Sequence, residues 1–237
     1  MPEQLGKIER LEAEYFKQGK KLYVVPLVYS GEDAPDEYKE RCNCYWRQVA
    51  EQLANLAAKI GKVNRIYHES VSRCGEDGMK VLERLNPSSY EIARTQCDRG
   101  AIFETIEERA LLEEVTDWQR CLMVGFMSDK VADKVSELYV EATRKRNESM
   151  ARKISETLRN DEAGLLFITE GHSVQFPADV EVFSIFPPAL DEIHRWLRDQ
   201  AGMGVGKARE ETKGQTEGEA EGVEKKTARK MEEEPER

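Results

Sequence analysis

Three features of the 237-residue chain predict an α/β fold with a short, mainly parallel sheet, a helix-rich middle and a disordered C-terminal tail. Apolar runs of strand length alternate with segments whose apolar residues recur at helical spacing. The first two runs are separated by a segment long enough for a βαβ crossover, which is right-handed in nearly all cases and makes its strands parallel. A third run, Leu165 to Ile168, opens at its end onto Glu170-Gly171-His172, and open α/β sheets bind ligands beyond the carboxyl ends of their strands.

The first strand is expected in Lys21 to Ser30 (KLYVVPLVYS), closed by the loop Gly31-Glu32-Asp33. Asp36 to Ile60 places Tyr45, Val49, Leu53, Leu56 and Ile60 at helical steps, and Gly61 stands where a helix-terminating glycine belongs. Val63 to Val71 (VNRIYHESV) supplies the second strand. From Gly75 almost to Gly164 the pattern is helical, over Met79 to Leu85, Tyr90 to Ala93, Ile102 to Leu112 and Asp129 to Arg159. In the last of these, Val131, Val135, Leu138, Ala142, Met150, Ile154 and Leu158 form a stripe expected to be core. Val180 to Phe186 is expected as the last strand, and Pro187-Pro188 opens a final helix that buries Leu190, Ile193, Trp196 and Leu197.

Residues 1–200 are thus read as a single α/β domain, and 201–237, rich in Lys, Glu, Gly, Thr and Ala, as a disordered charged tail that cannot bury enough surface to offset its ordering entropy. A net charge of -10 disfavours a phosphate-backbone footprint, so nucleic acid is not an expected partner. No apolar run approaches the roughly 20 residues of a bilayer span, and the N-terminus lacks a signal-peptide core, which predicts a cytoplasmic protein without membrane association. The five cysteines are odd in number and scattered, the pattern of reduced thiols, and Cys42-Asn43-Cys44 lacks a second pair of metal ligands. The chain has no G-x-G-x-x-G after its first strand, no nucleoside-triphosphate loop and no G-x-S-x-G elbow.

The candidate site gathers polar groups at strand ends. Glu32 follows the first strand, Glu69 lies late in the second, and Glu170 and His172 follow the third, while Arg146-Asn147 sits on the helix leading into it. In a parallel sheet such groups share one edge, where carboxylates, imidazole and guanidinium could hold a divalent metal, polarise a water or clamp a ligand. His68 and Glu69 alternate on a strand, so Glu69 is expected to face the pocket and His68 to pack beneath a helix.

Arg146-Asn147, Met150-Ala151, Ile154, the strand LLFI and the Gly171-His172 pair resemble the C-terminal half of the TraB, PrgY and GumN proteins, relatives of the ChaN-like and erythromycin-esterase-like groups. The resemblance implies an α/β domain in which Glu69, Arg146 and His172 match the family's strand-end acid, helix arginine and strand-end histidine. Where members carry a histidine after the first strand, this chain has Ser30-Gly31-Glu32-Asp33 without one. The function implied is a pocket for a small molecule or peptide, or for a metal, with hydrolase chemistry. Glu69, His172 and Arg146 would be catalytic, with His172 or Glu69 as general base, and Glu32, Glu170 and Asn147 ligand-binding. The alternative is a non-catalytic interaction or scaffold protein that kept the fold and lost the site. Self-association through the 129–159 helix is a further expectation, because its stripe is long for one small sheet to cover.

Overall fold

The computed structural model describes residues 18–201, so the expected tail lies outside the described residues from 202 onward. Strands β1 (Lys20–Pro26), β2 (Val63–His68), β3 (Ile102–Phe103), β4 (Ala163–Ile168) and β5 (Val180–Ser184) form one sheet in the order β3-β2-β4-β1-β5, and every ladder is parallel. The helices are α1 (Asp36–Ile60), α2 (Gly75–Leu85), α3 (Pro87–Asp98), α4 (Arg109–Val124), α5 (Asp129–Thr157) and a final helix over 188–201. The chain divides after Ala189 into a unit holding the whole sheet with α1 to α5, and a second beginning at Leu190.

Period-2 alternation explains how the central strands bury both faces. On one side Leu22, Val24, Leu166 and Ile168 pack with Met150 and Ile154 of α5. On the other, the Trp46 ring of α1 lies 6.1 Å from that of Phe167, and the buried Tyr45 hydroxyl donates to the Pro26 carbonyl at 2.5 Å. Each large apolar side chain removed from water in these layers contributes roughly 1.5–3 kcal/mol before the entropy of ordering it is counted.

The structure shortens or moves several expected elements. β1 stops at Pro26, and β2 stops at His68 because Ser70, two residues on, adopts a positive φ of 69° that an extended strand cannot continue through. Ile102 and Phe103, expected in a helix, pair instead with Arg65 and Ile66, and the helix begins only at Arg109. A tertiary edge position has overridden local propensity here. The long stripe of α5 is core only from Ala142 onward: Val131 is 48% exposed, and Val135 and Leu138 are half-buried. Its first half packs against α4, joined to it by the short loop 125–128, as a helical hairpin.

Candidate functional site

The strand order singles out one crevice. From β2 the chain leads outward to β3, and from β4 it leads the opposite way, past β1 to β5. The carboxyl ends of β2 and β4 therefore face connections that diverge, which is the topological switch point where ligands of open α/β sheets bind.

At that point Glu69 follows directly on β2, its amide donating to Phe167 O at 2.9 Å. Ser70 then turns the chain and donates its N–H to Glu107 Oε1 at 3.0 Å. Glu107 precedes α4, and its side chain has no exposure to solvent. A bare buried carboxylate would cost several kcal/mol, so it requires a partner. Arg146 supplies one: Nε donates to Glu107 Oε2 at 3.0 Å and Nη2 donates to Oε1, a two-pronged guanidinium–carboxylate pair. The same Nη2 reaches Glu69 Oε1 at 3.0 Å, while the other Glu69 oxygen accepts the Thr169 amide at 2.5 Å. Residues following β2, β3 and β4 are thereby tied to the middle of α5.

Burial alone would push the Glu69 carboxyl up, but the Thr169 amide and Arg146 outweigh it and hold the group below the ordinary carboxylate range. Burial pulls on Arg146 in the direction of deprotonation, and Glu107 and Glu69 more than offset it. Glu69 and Arg146 are thus each held in the charged form.

His172 stands on the loop beyond β4, where Gly171 takes the left-handed φ of 76° that the turn requires and the His172 amide donates to Thr169 O at 3.3 Å. Its ring meets Phe176 edge-on at 5.4 Å. Burial lowers its pKa and the negative charge of Glu69 partly opposes that, leaving the imidazole neutral at pH 7. Among the described residues its enclosed Nδ1 finds no hydrogen-bond partner. Tyr29, after β1, is affected by the same carboxylate: burial and then Glu69 push its hydroxyl up to about 12. The structure thus brings Glu69, Arg146 and Glu107 into contact, with His172 and Tyr29 within electrostatic reach of Glu69.

The other expected residues occupy different places. Glu32 is exposed in the β1–α1 loop, and its carbonyl accepts Lys39 Nζ at 2.5 Å. Glu170 is exposed, and its charge adds to the burial that raises the Tyr45 hydroxyl. Asn147 donates to Ser173 Oγ at 2.9 Å and lines a groove of about 710 Å³ along α5 with Tyr139, Val140, Thr143 and Ala151. That groove lies beside the ion-paired cluster without containing Glu69, Arg146 or His172. His68 is fully buried as expected, its Nε2 3.3 Å from Ser89 Oγ of α3.

A divalent metal does not fit this arrangement. Both oxygens of Glu69 and of Glu107 are engaged by Arg146 and backbone amides, and among the described residues no three His, Cys, Asp or Glu groups could hold a metal ion. All five cysteines are free thiols.

Sequence reasoning missed Glu107, Ser70 and Tyr29. Glu107 lies in FETIEE, read as helix; Gly100 just before the two-residue β3 is the one local signal that a turn and strand could precede it. No family model, curated protein or solved structure matches the chain.

Proposed function

We propose that the crevice between the ends of β2 and β4 is a ligand-binding site of TraB-like character, in which His172 is the working acceptor and general base and the Glu69–Arg146–Glu107 cluster is its fixed floor. The observation that carries this reading is the neutral His172 imidazole, with an unpartnered Nδ1 among the described residues, beside an ionised Glu69 at the switch point. A buried polar atom left unpaired costs about 1–3 kcal/mol, and such groups call for an explanation in use. Glu69, held ionised well into acid, is a weak base at neutral pH, so the role of base falls to His172. The ionised Glu69 at the edge of the floor favours a small polar ligand that presents hydrogen-bond donors or positive charge. Hydrolysis in this setting runs by acid–base chemistry at His172.

The test is a panel of small amines, amides and esters scored by thermal shift and by the side-chain nitrogen resonances of His172. A hit is expected to move both, to be lost in His172→Ala, and to persist in His194→Ala. A hit that binds the His172→Ala protein equally well would end this reading.

A second reading, the non-catalytic interaction protein, rests on the complete mutual pairing of Glu69, Arg146 and Glu107, which makes the cluster a structural clasp. It expects His172→Ala to leave every binding activity of the chain unchanged.

A further inference from the structure

The α4–α5 hairpin stands clear of the sheet. Thr157 of α5 meets the Tyr67 hydroxyl within β2 at 2.8 Å, and Arg146 meets Glu69 just past the end of the same strand. Moving backwards along α5 is therefore moving toward and past the carboxyl edge. The residues 129–145 continue in that direction for about 25 Å at 1.5 Å per residue. α4 accompanies them, starting from Glu108, whose carboxylate accepts Arg152 at 3.0 Å and also the Ser149 hydroxyl.

This arm is rich in apolar side chains that are exposed among the described residues. Val115 is the one buried residue of α4, and at the tip Met123 is 80%, Val124 85% and Met127 107% exposed, followed on α5 by Val131 and, near the base, by Val140 at 64%. An apolar helix face has to be covered by another layer, and monomers rarely expose patches of more than a few hundred Å². Val131 lies nine residues from Val140, half a turn round α5, and belongs to a different face; Met123, Val124, Met127 and Val140 alone expose on the order of 600 Å² per copy, against the roughly 800 Å² that each partner gives to a standard interface.

Charge does not oppose a second copy. Residues 109–145 hold six Lys or Arg and seven Asp or Glu, a net of -1 in a chain of -10. Most of these charges are paired within the hairpin, as in Arg109–Glu113, Arg120–Asp117, Lys134–Glu137 and Lys145–Glu141. The arm is thus close to neutral, and a second copy of it can approach with little like-charge repulsion. It also carries both halves of a reciprocal contact: an apolar tip, and near its base the groove that includes Tyr139, Val140 and Ala151. A twofold axis across the middle of the arm sets each tip against the other's base, the self-complementary pairing of a C2 dimer.

We propose that the protein dimerises through the α4–α5 arm, two hairpins packing antiparallel into a four-helix bundle with Met123, Val124 and Met127 of each copy in the α5 groove of the other. This does not depend on the crevice being a ligand site.

Sedimentation of the full chain from about 1 to about 100 µM, the range of ordinary homodimer affinities, tests it. A dimer is expected for the wild type, weakened at least about 30-fold by Val124→Glu with Met127→Glu, as for hot-spot residues. Both positions are exposed, so an unchanged circular dichroism spectrum is expected alongside. In a background with Cys44, Cys74, Cys97 and Cys121 replaced by serine, mixed Met127→Cys and Val140→Cys proteins are expected to cross-link under mild oxidation where neither does alone. A monomer throughout the range, a dimer indifferent to the glutamates, or Met127→Cys cross-linking to itself would each overturn the proposal. So would a monomer that cosediments with phosphatidylcholine vesicles, which would assign the tip to a lipid surface.

Discussion

Arg146 of α5 and Glu107, which precedes α4, form a two-pronged ion pair closed off from solvent on the carboxylate side, and the same guanidinium reaches Glu69 at 3.0 Å. This contact fixes the base of the hairpin to the carboxyl edge of the sheet. Removing one partner of such a pair strands a buried charge, whereas the exposed charges around it are worth little.

Arg146→Ala is accordingly expected to lose about 3–5 kcal/mol of stability, while Arg152→Ala, whose side chain is 59% exposed, loses less than about 1 kcal/mol. Urea unfolding of the two variants gives the comparison. Equal small losses would mean that Glu107 is compensated by something other than Arg146.

His68 and Glu69 both contribute to the acid limb of stability, and they act in different windows. Burial holds His68 down to about 4 from its ordinary 6.5, so the unfolded chain takes up its proton first as pH falls. The stability His68 contributes is fully present above pH 6.5 and is lost between 6.5 and 4, to the extent of about 3 kcal/mol. Glu69 is depressed below its ordinary 4.5, and its contribution is lost only as pH falls below that value. Unfolding free energies at pH 7.5 and 5 are expected to differ in the wild type and to differ less in His68→Gln, His172 supplying the remainder; an unchanged slope would place the proton elsewhere.

Gly78 offers a contest between propensity and packing. Alanine is better than glycine in a helix interior by about 1 kcal/mol. A Cβ at this position of α2, however, would strike the Arg73 carbonyl and the Phe103 ring at 2.7 Å. The backbone oxygen cannot rotate away, so Gly78→Ala is expected to destabilise by about 1–3 kcal/mol, read as a lower Tm. A gain in Tm would show that the turn before α2 shifts freely.

Much of the fold was legible in local pattern. The span of α1, with Gly61 at its end, matches the helical spacing of Tyr45, Val49 and Leu53. β4 shows itself as the uninterrupted apolar run of a strand buried on both faces. β3 was hidden because two residues are too few to display a period. The core assignment of Val131, Val135 and Leu138 failed for a related reason: periodicity marks an apolar stripe, and only the third dimension says whether a sheet lies beneath it.

The sequence by itself determined the α/β class, the helix-rich middle and the strand-end positions of Glu69 and His172, since these follow from periodicities and punctuation within short windows. Tertiary structure alone decided that β4 inserts between β2 and β1, that Arg146 closes on Glu69 and on a glutamate read as helical, and that apolar side chains of the hairpin are exposed among the described residues. Those outcomes join residues dozens of positions apart. Their driving forces, burial of apolar surface and compensation of a buried charge, depend on what the rest of the chain places alongside, and no local window contains that.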